Sequence, residues 1–534
     1  MSNYIATVID TTGIQKYVFG SNRLKENIGA SHLVKLATVQ WVKDCLICLD
    51  NNVHIPDEDK EEVEPCINTD ESIVAELVYA GGGNTVLLFR SMEFARKFTQ
   101  NITRKILEDA PGLNIVIAHH PFNWDTQLLQ QVIENDLIKG KLDAQKRQPI
   151  PSVPLMGLSV TATCRSTGLV AVEDTNGKYG IPDGEGYLAS REIIAKLKAA
   201  DEANTQFKEM LFKGKPSKYK VARDVDDMGR TEQESSYIAL VHADGNQMGN
   251  RFDNYGKSQR LNRDFIVKMR RLSWGVSKAA SSAIEEVGKL VIDAIETGKI
   301  SIKENYLPFR PIVYGGDDVT FVCDGRIGLP LAVKFLKEFE ARTQNLPDGK
   351  GKATACAGIA IVKTHYPFAR TYELCEALCS RTKKFVRQET DNYSKRKLIF
   401  SALDWHIAAS GLSGSIGEIR EREYQGGKLI TRPMRSHEYG DDWLTWTDFA
   451  EVVRIFNEEE PWKGKRNKVI TLREVLREGQ TATKQFLNTY GIDELPAFPK
   501  AKDNSILRKQ GWDRGRCRYF DAIEAMEFYI PLGE

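Results

Sequence analysis

The chain is short of the features that mark secreted, membrane or fibrous proteins. Its nine cysteines fall into no regular framework. Cys45 and Cys48 make one C-x-x-C, but it lies in the apolar run WVKDCLICL with no second ligand pair at zinc-finger spacing. Such cysteines read as buried thiols of a reduced, intracellular protein. No window approaches about 18 uninterrupted apolar residues, so no membrane span is expected. The start, MSNYIATVID, has no basic stretch ahead of an apolar one, and no signal peptide is expected either. Net charge is also missing: 74 Lys and Arg against 73 Asp and Glu leave +1. That balance argues against a bulk nucleic-acid coat or an acidic disordered tail. What is present is ordinary for a globular protein, with 41% hydrophobic and 28% charged residues over 534 positions. The length allows two to four units of about 100–200 residues each and a core that needs no disulfide or metal staple. A cytoplasmic enzyme or complex subunit is the class that remains.

The sequence repeats itself. ELVYAGGGNTVLLF (76–89) aligns without a gap on RPIVYGGDDVTFVC (310–323), an offset of 234 residues, which sets Gly81 and Gly82 on Gly315 and Gly316. The same offset carries Asp10, after the β-like run YIATVI, onto Asp244, which ends YIALVHAD. A third match, His119-His120-Pro121-Phe122 with His365-Tyr366-Pro367-Phe368, has an offset of 246. Each copy reads as strand, helix, hairpin, helix, strand, helix, the ferredoxin-like βαββαβ order. The fold class is therefore α+β, with tandem ferredoxin-like palm domains. The boundaries are 1–150 for a degenerate first palm, 151–235 for an insert, 236–400 for the second palm and 401–534 for a helical, aromatic-rich C-terminal domain. Helices are expected near 33–49, 92–109 and 126–139 in the first copy, and over 264–296, 328–342 and 372–387 in the second. The acidic run DEDKEEVE (57–64) reads as a solvated loop.

Asp244 ends one strand, and Asp317 and Asp318 sit in a hairpin turn that the fold makes its neighbour. Converging carboxylates without soft ligands favour Mg²⁺ or Mn²⁺. Gly315 and Gly316 let the turn tighten and a triphosphate approach. Such a site suits attack of a hydroxyl on an α-phosphate with loss of pyrophosphate. Lys383 and Lys384 on the closing helix are candidates for the β- and γ-phosphates. In the first copy Gly83 and Asn84 replace the paired acids, and the 246 offset sets Leu137 and Ile138 opposite the lysines. That copy reads as catalytically dead, with a bare Gly81-Gly82-Gly83 turn that could admit a second nucleotide or be purely structural.

These residues resemble a known family. The paired palms, HADGNQMGN (242–250) and YGGDD (314–318) are similar to the large subunit of type III CRISPR interference complexes, a relative of nucleotide and diguanylate cyclases. RLKENIGASHLV (23–34) resembles its first-palm signature, and YFDAIEAMEFYIPL (519–532) its ending. The resemblance covers nearly the whole chain, most firmly 1–400. It implies synthesis of cyclic oligoadenylates from ATP as an antiviral second messenger. It sets Asp244 and Asp317 at the family's metal-holding positions, with Asp318 beside them. It also assigns Gly81 to Gly83 and the Gly29-Ala30-Ser31 turn to an acceptor nucleotide, although Ser31 reads equally as a helix N-cap. The departures matter. The chain starts in the first palm, so a compact member without the N-terminal HD nuclease is expected. Only Cys164 lies between the palms, so no zinc is expected there. Asn246 stands where many members carry a second Asp, which leaves the second ion to Asp318 or a backbone carbonyl such as that of Gly245.

The implied partners are ATP or GTP, RNA or CRISPR effector subunits, and a downstream receptor of the cyclic nucleotide. Competing readings are an RNA-binding scaffold with a vestigial palm and a cyclic dinucleotide synthase using GTP. Lys502, Arg508, Lys509, Arg514, Arg516 and Arg518 surround Trp512 and Tyr519, a pattern that can bind single-stranded RNA but more often is a solvated surface over packed aromatics. His406 reads as packed rather than as a ligand.

Overall fold

The computed structural model describes residues 3–57, 65–81, 83–148, 158–228, 236–392, 400–408, 414–437, 445–499 and 505–533. The acidic stretch 58–64, Gly82, Lys502 and the expected boundaries at 150/151 and 235 lie outside these residues. Among the described residues no helix is long and apolar enough to cross a membrane.

The first palm follows the alternation of its strands. In β1 (Asn3–Thr12) Tyr4, Ala6 and Val8 point to one core cluster while Ile9 points to another. With β2 (Val53–His54), β3 (Ala75–Gly81), β4 (Asn84–Phe89) and β5 (Asn114–Asn123) it forms a sheet of order β2-β3-β4-β1-β5. Helices α1 (Ile14–Phe19) and α2 (Leu24–Lys35) follow β1; α3 (Met92–Asp109), capped by Ser91, joins β4 to β5. The closing helix α4 covers 129–146 and winds as a π-helix over Val132–Leu142. Residues 23–34 do not contain a turn: Gly29, Ala30 and Ser31 lie inside α2. Ser31 is therefore no N-cap. A side chain on Gly29 would meet the Lys196 carbonyl at 1.7 Å, so this glycine lets α2 lie against α5 (Arg191–Phe212) of the insert.

The second palm repeats the plan. β6 (Tyr237–Gly245) is followed by α6 (Met248–Lys257) and the long α7 (Asn262–Glu296). The hairpin β7 (Phe309–Val313) and β8 (Asp318–Asp324), α8 (Gly328–Arg342), β9 (Ala355–Lys363) and the closing helix α9 (Phe368–Asn392) complete it. The sheet order is β7-β8-β6-β9-β10-β11. Its last strands, β10 (Ala402–Ala408) and β11 (Met434–Arg435), come from beyond residue 400, so the region expected to be helical also extends the second sheet. The remainder is mainly helical, from α10 (Ile416–Glu423) through α11 (Trp446–Glu458), α12 (Arg466–Glu478), α13 (Gln480–Thr489) and α14 (Ser505–Gln510) to α15 (Phe520–Ala525), with a short antiparallel hairpin of Trp512–Asp513 and Arg516–Cys517 before α15. A buried ion network ties it to β10: Arg420 reaches Asp404 at 2.6 Å, and Arg432 reaches Asp521 at 3.0 Å and Glu524 at 2.8 Å. Trp512 and Tyr519 are buried, as is His406. Arg508 pairs with Glu494 and Arg518 with Asp513, while Lys509, Arg514 and Arg516 are exposed, so the aromatic residues of this region are packed and two of its basic residues are paired within the fold.

The palms pack reciprocally. Helix α1, after the first strand of palm one, docks on α9, the closing helix of palm two: Phe19 stacks on Tyr372 at 3.8 Å and Gln15 donates to Glu376 at 3.0 Å. Helix α6, after the first strand of palm two, docks on α4, the closing helix of palm one, with Lys257 at 3.0 Å from Glu134. Between them Glu76 on β3 is fully buried and accepts from Arg263 at 2.6 and 3.0 Å, from Arg270 at 3.2 Å and from the Ile67 amide at 3.2 Å. Burial alone would raise its carboxyl, but the hydrogen bonds and charge of Arg263, then the charge of Arg270, hold it below the usual range. His54, Cys66 and Glu76 bring ligand atoms within 4.8 Å of one another. Both Glu76 oxygens are already committed to two guanidiniums and an amide, so this trio is structural. Glu76→Ala should leave two uncompensated guanidiniums and destabilise the protein by about 3–5 kcal/mol. Urea denaturation at pH 7 measures it, and a loss below about 1 kcal/mol would contradict this account of the interface.

Candidate active site

In the second palm, register brings the acids together. Asp318, the first residue of β8, stands opposite Asp244 on β6, and Thr320 opposite His242. The four share one face of the sheet, the face covered by α9. Asp317 precedes β8 in the turn, and its carbonyl accepts from the Gly245 amide at 3.1 Å. A Cβ at Gly245 would meet that of Asp317 at 2.9 Å, so only glycine lets the strand end and the turn approach this closely. Gly315 has φ +110°, which the tight turn requires.

Helix α9 supplies the positive charge. Lys383 Nζ lies 2.5 Å from Asp244 Oδ2. Lys384 follows about 100° further round the helix and is exposed, so the structure brings one of the two expected lysines to the acids. Burial, and then the charge of Asp244, push the carboxyl of Asp317 up to about 6 and that of Asp318 up to about 7. Water reaches Asp318, whose side chain is 52% exposed, and moderates its shift; Asp317 is more enclosed. Ligand atoms of Asp244, Asp317 and Asp318 do not form a trio within 4.8 Å; among the described residues only His54, Cys66 and Glu76 do. The acids share a strand end, with Lys383 at Asp244.

Several residues that sequence reasoning passed over belong to this site. His242 is buried, with Nδ1 at 3.3 Å from Asp318 Oδ1 and 3.1 Å from Thr320 Oγ1. Burial lowers its imidazole, and Asp244 and Glu376 only partly oppose this, so His242 is neutral near pH 7. Its ring meets Tyr372 edge-on at 5.4 Å. Asn246 is turned away: its side chain donates to Thr354 Oγ1 at 2.9 Å and to the Phe400 carbonyl at 3.3 Å, and accepts from Cys356 at 3.1 Å. It fastens the strand end to β9 and offers the acids nothing.

The first palm keeps the same frame. Asn84 stands opposite Asp10, and the Thr11 amide donates to the Gly83 carbonyl at 3.0 Å, as Gly245 does to Asp317. A side chain on Gly83 would meet Ile14 Cδ1 at 2.8 Å and Thr11 Oγ1 at 2.9 Å, so this position takes glycine. Asp10 is held by Lys146. The closing helix therefore does supply a lysine, nine residues beyond the position that the 246 offset indicated. The two turns meet on one helix: a side chain on Gly81 would stand 3.4 Å from Ser273 Oγ, and one on Gly315 3.9 Å from Ser277 Oγ. Ser273 and Ser277 are one turn apart on α7.

The fold and this acidic strand end define a tandem-palm protein of the nucleotide cyclase and polymerase type. Residues 237–391 match the family described as Cas10/Cmr2, second palm domain. The whole chain shares its fold with Csm1–Csm4 cassettes solved with cA4 (TM-score 0.52, 13% identity), with AMPPNP (0.51, 12%) and with pppApApA (0.52, 11%); each similarity covers 99% of this chain and 70% of the other. No curated protein sequence matches the chain. The second palm thus matches the Cas10/Cmr2 palm model, and the chain as a whole shares the fold of Csm1.

A carboxyl raised by folding makes the folded state hold protons that the unfolded chain has released. Stability of the ion-free protein should therefore fall as pH rises from about 4 to about 7 and level off above, through Asp317 and Asp318. Thermal melts of wild type against the Asp317→Asn, Asp318→Asn double variant isolate this contribution. A difference that does not change across that window would show that the two acids are not desolvated.

Proposed function

We propose that the chain is a metal-dependent nucleotidyltransferase that joins the 3′-hydroxyl of one ATP to the α-phosphate of another and makes a cyclic oligoadenylate messenger in CRISPR-type defence. The observation that carries this reading is the asymmetry between copies. One frame occurs twice, but the paired acids occur only in the second palm, at a strand end where burial and mutual repulsion make them costly. A scaffold has no need of that cost. The solved Csm1–Csm4 cassettes of this fold hold cA4, AMPPNP and pppApApA, which supports adenine nucleotides as the substrate class.

Asp244, Asp317 and Asp318, with the Gly245 carbonyl, would hold Mg²⁺ or Mn²⁺. When bound, the ion supplies charge neutralisation for an α-phosphate under attack and for the leaving pyrophosphate. Lys383 sits at the same edge and moves from Asp244 to phosphate oxygens as a point charge. The turns at Gly81 and Gly315 lie against one face of α7, at Ser273 and Ser277, where two nucleotides would lie with their reacting ends together. Gln15 and Phe19 of the first palm, through Glu376 and Tyr372, fix the helix that carries Lys383.

The protein incubated with ATP and Mg²⁺ or Mn²⁺ should release pyrophosphate and yield cyclic oligoadenylates by mass spectrometry. GTP in competition tests base choice. Asp317→Ala with Asp318→Ala should lower turnover by about 10²–10³-fold or more with the circular dichroism spectrum unchanged. Absence of pyrophosphate from every nucleoside triphosphate, with and without RNA, would exclude the reading.

A further inference from the structure

We infer that His242, held by Thr320, is a positioning residue that fixes the carboxylate of Asp318 for its role in the second palm. The inference rests on the reading of Asp318 as an ion-holding acid and adds a residue to it. Three observations carry it. First, the contact is direct: Nδ1 of His242 is 3.3 Å from Asp318 Oδ1. The Nδ1 proton is assigned to a contact shared between Thr320 Oγ1 and Asp318 Oδ1, with the carboxylate accepting when ionised. Second, the imidazole is immobilised. It is 5% exposed, its Nδ1 lies 3.1 Å from Thr320 Oγ1 on the paired strand, and its ring meets Tyr372 at 5.4 Å, with Tyr372 stacked in turn on Phe19 of the first palm. Third, the repeat supplies an internal comparison. The offset of 234 sets Val8 on His242 and Val86 on Thr320, and Val8 and Val86 are paired across β1 and β4 just as His242 and Thr320 are across β6 and β8. Both valines are buried in an apolar cluster. The fold therefore accepts two valines in this cross-strand pair. The polar pair occurs in the copy that keeps the acids.

The chemistry is that of an outer-shell donor. Asp318 has one oxygen, Oδ1, turned to His242, and its side chain is half-exposed. Without the imidazole the half-exposed side chain would sample several rotamers and lose much of its preorganisation. Loss of such partners typically costs about 10–100-fold in metal affinity or activity. The first palm enters through the stack: Phe19 holds Tyr372, Tyr372 holds the imidazole edge, and the imidazole holds the acid.

The test uses the full chain and Mn²⁺ alone, with binding read by electron paramagnetic resonance and pyrophosphate release from ATP measured in parallel. His242→Phe should weaken Mn²⁺ binding by about 10-fold or more and lower kcat while leaving KM for ATP near wild type. His242→Asn, whose amide can still donate, should recover most of both. Thr320→Val, which keeps the imidazole but frees it, should show the same loss in weaker form and serves if His242→Phe does not fold. Wild-type Mn²⁺ affinity in His242→Phe, or equal loss in His242→Phe and His242→Asn, would overturn the inference. If the wild type binds Mn²⁺ and releases no pyrophosphate, the proposed activity fails while the positioning role is still decided by Mn²⁺ affinity. A wild type without an Mn²⁺ site overturns both.

Discussion

Two carboxylates stand opposite each other across an antiparallel strand pair, and much of the second palm is arranged around that fact. Asp244 and Asp318 are register partners at the end of β6, the central strand of its sheet. Like charges in this relation destabilise a sheet, and here burial adds to the cost. The surroundings answer it piece by piece. Lys383 takes Asp244, His242 lies 3.3 Å from Asp318, and Gly245 clears space for Asp317. Where the demand is relaxed, so is the answer. In the first palm Asn84 faces Asp10, one lysine suffices, and the His–Thr pair gives way to Val8 and Val86.

The position of Lys383 is set from both ends of its helix. Tyr372 and Glu376 on the N-terminal half of α9 are held by Phe19 and Gln15 of the first palm. Towards its other end, Arg381 lies 3.8 Å from Asp404 on β10, and Glu389 is 3.1 Å from Arg435 on β11. The first palm and the C-terminal region thus act on the acidic edge without supplying an acid to it. This gives a physical reason for a copy without the paired acids to keep its fold: its helix α1 is part of the clamp on α9.

The repeat was legible because register is conserved where residues are not. Asp10 opposite Asn84 reproduces Asp244 opposite Asp318, so a gapless offset of 234 in sequence is a superposition of strand pairs in space. The helices at 92–109 and 328–342 followed from their apolar periodicity. Other features were hidden for identifiable reasons. Gly29 has the look of a turn residue, and only the Lys196 carbonyl 1.7 Å from its missing Cβ shows that it serves a helix crossing. The π-helical winding at 132–142 changes which residues face the sheet, so no linear offset could find Lys146. His242 sits among apolar strand residues and reads as core; its partners Thr320 and Asp318 lie 78 and 76 positions away and meet it only through pairing. The second sheet also draws β10 and β11 from a region that composition marked as separate.

The near-zero net charge gains a meaning from this arrangement. A protein that meets a polyanion with cationic surface needs an excess of lysine and arginine. Here Arg508 and Arg518 of the C-terminal region are spent on internal pairs, and the carboxyls raised by burial, Asp317 and Asp318, make a small negative site. An acidic edge repels a triphosphate unless divalent ions stand between them. On the proposed reading the desolvation cost carried by Asp317 and Asp318 is what makes such ions bind there and not at the many exposed carboxylates. The same cost lowers the stability of the ion-free fold. Function and stability are opposed at two residues of one turn, and the rest of the second palm is the compensation.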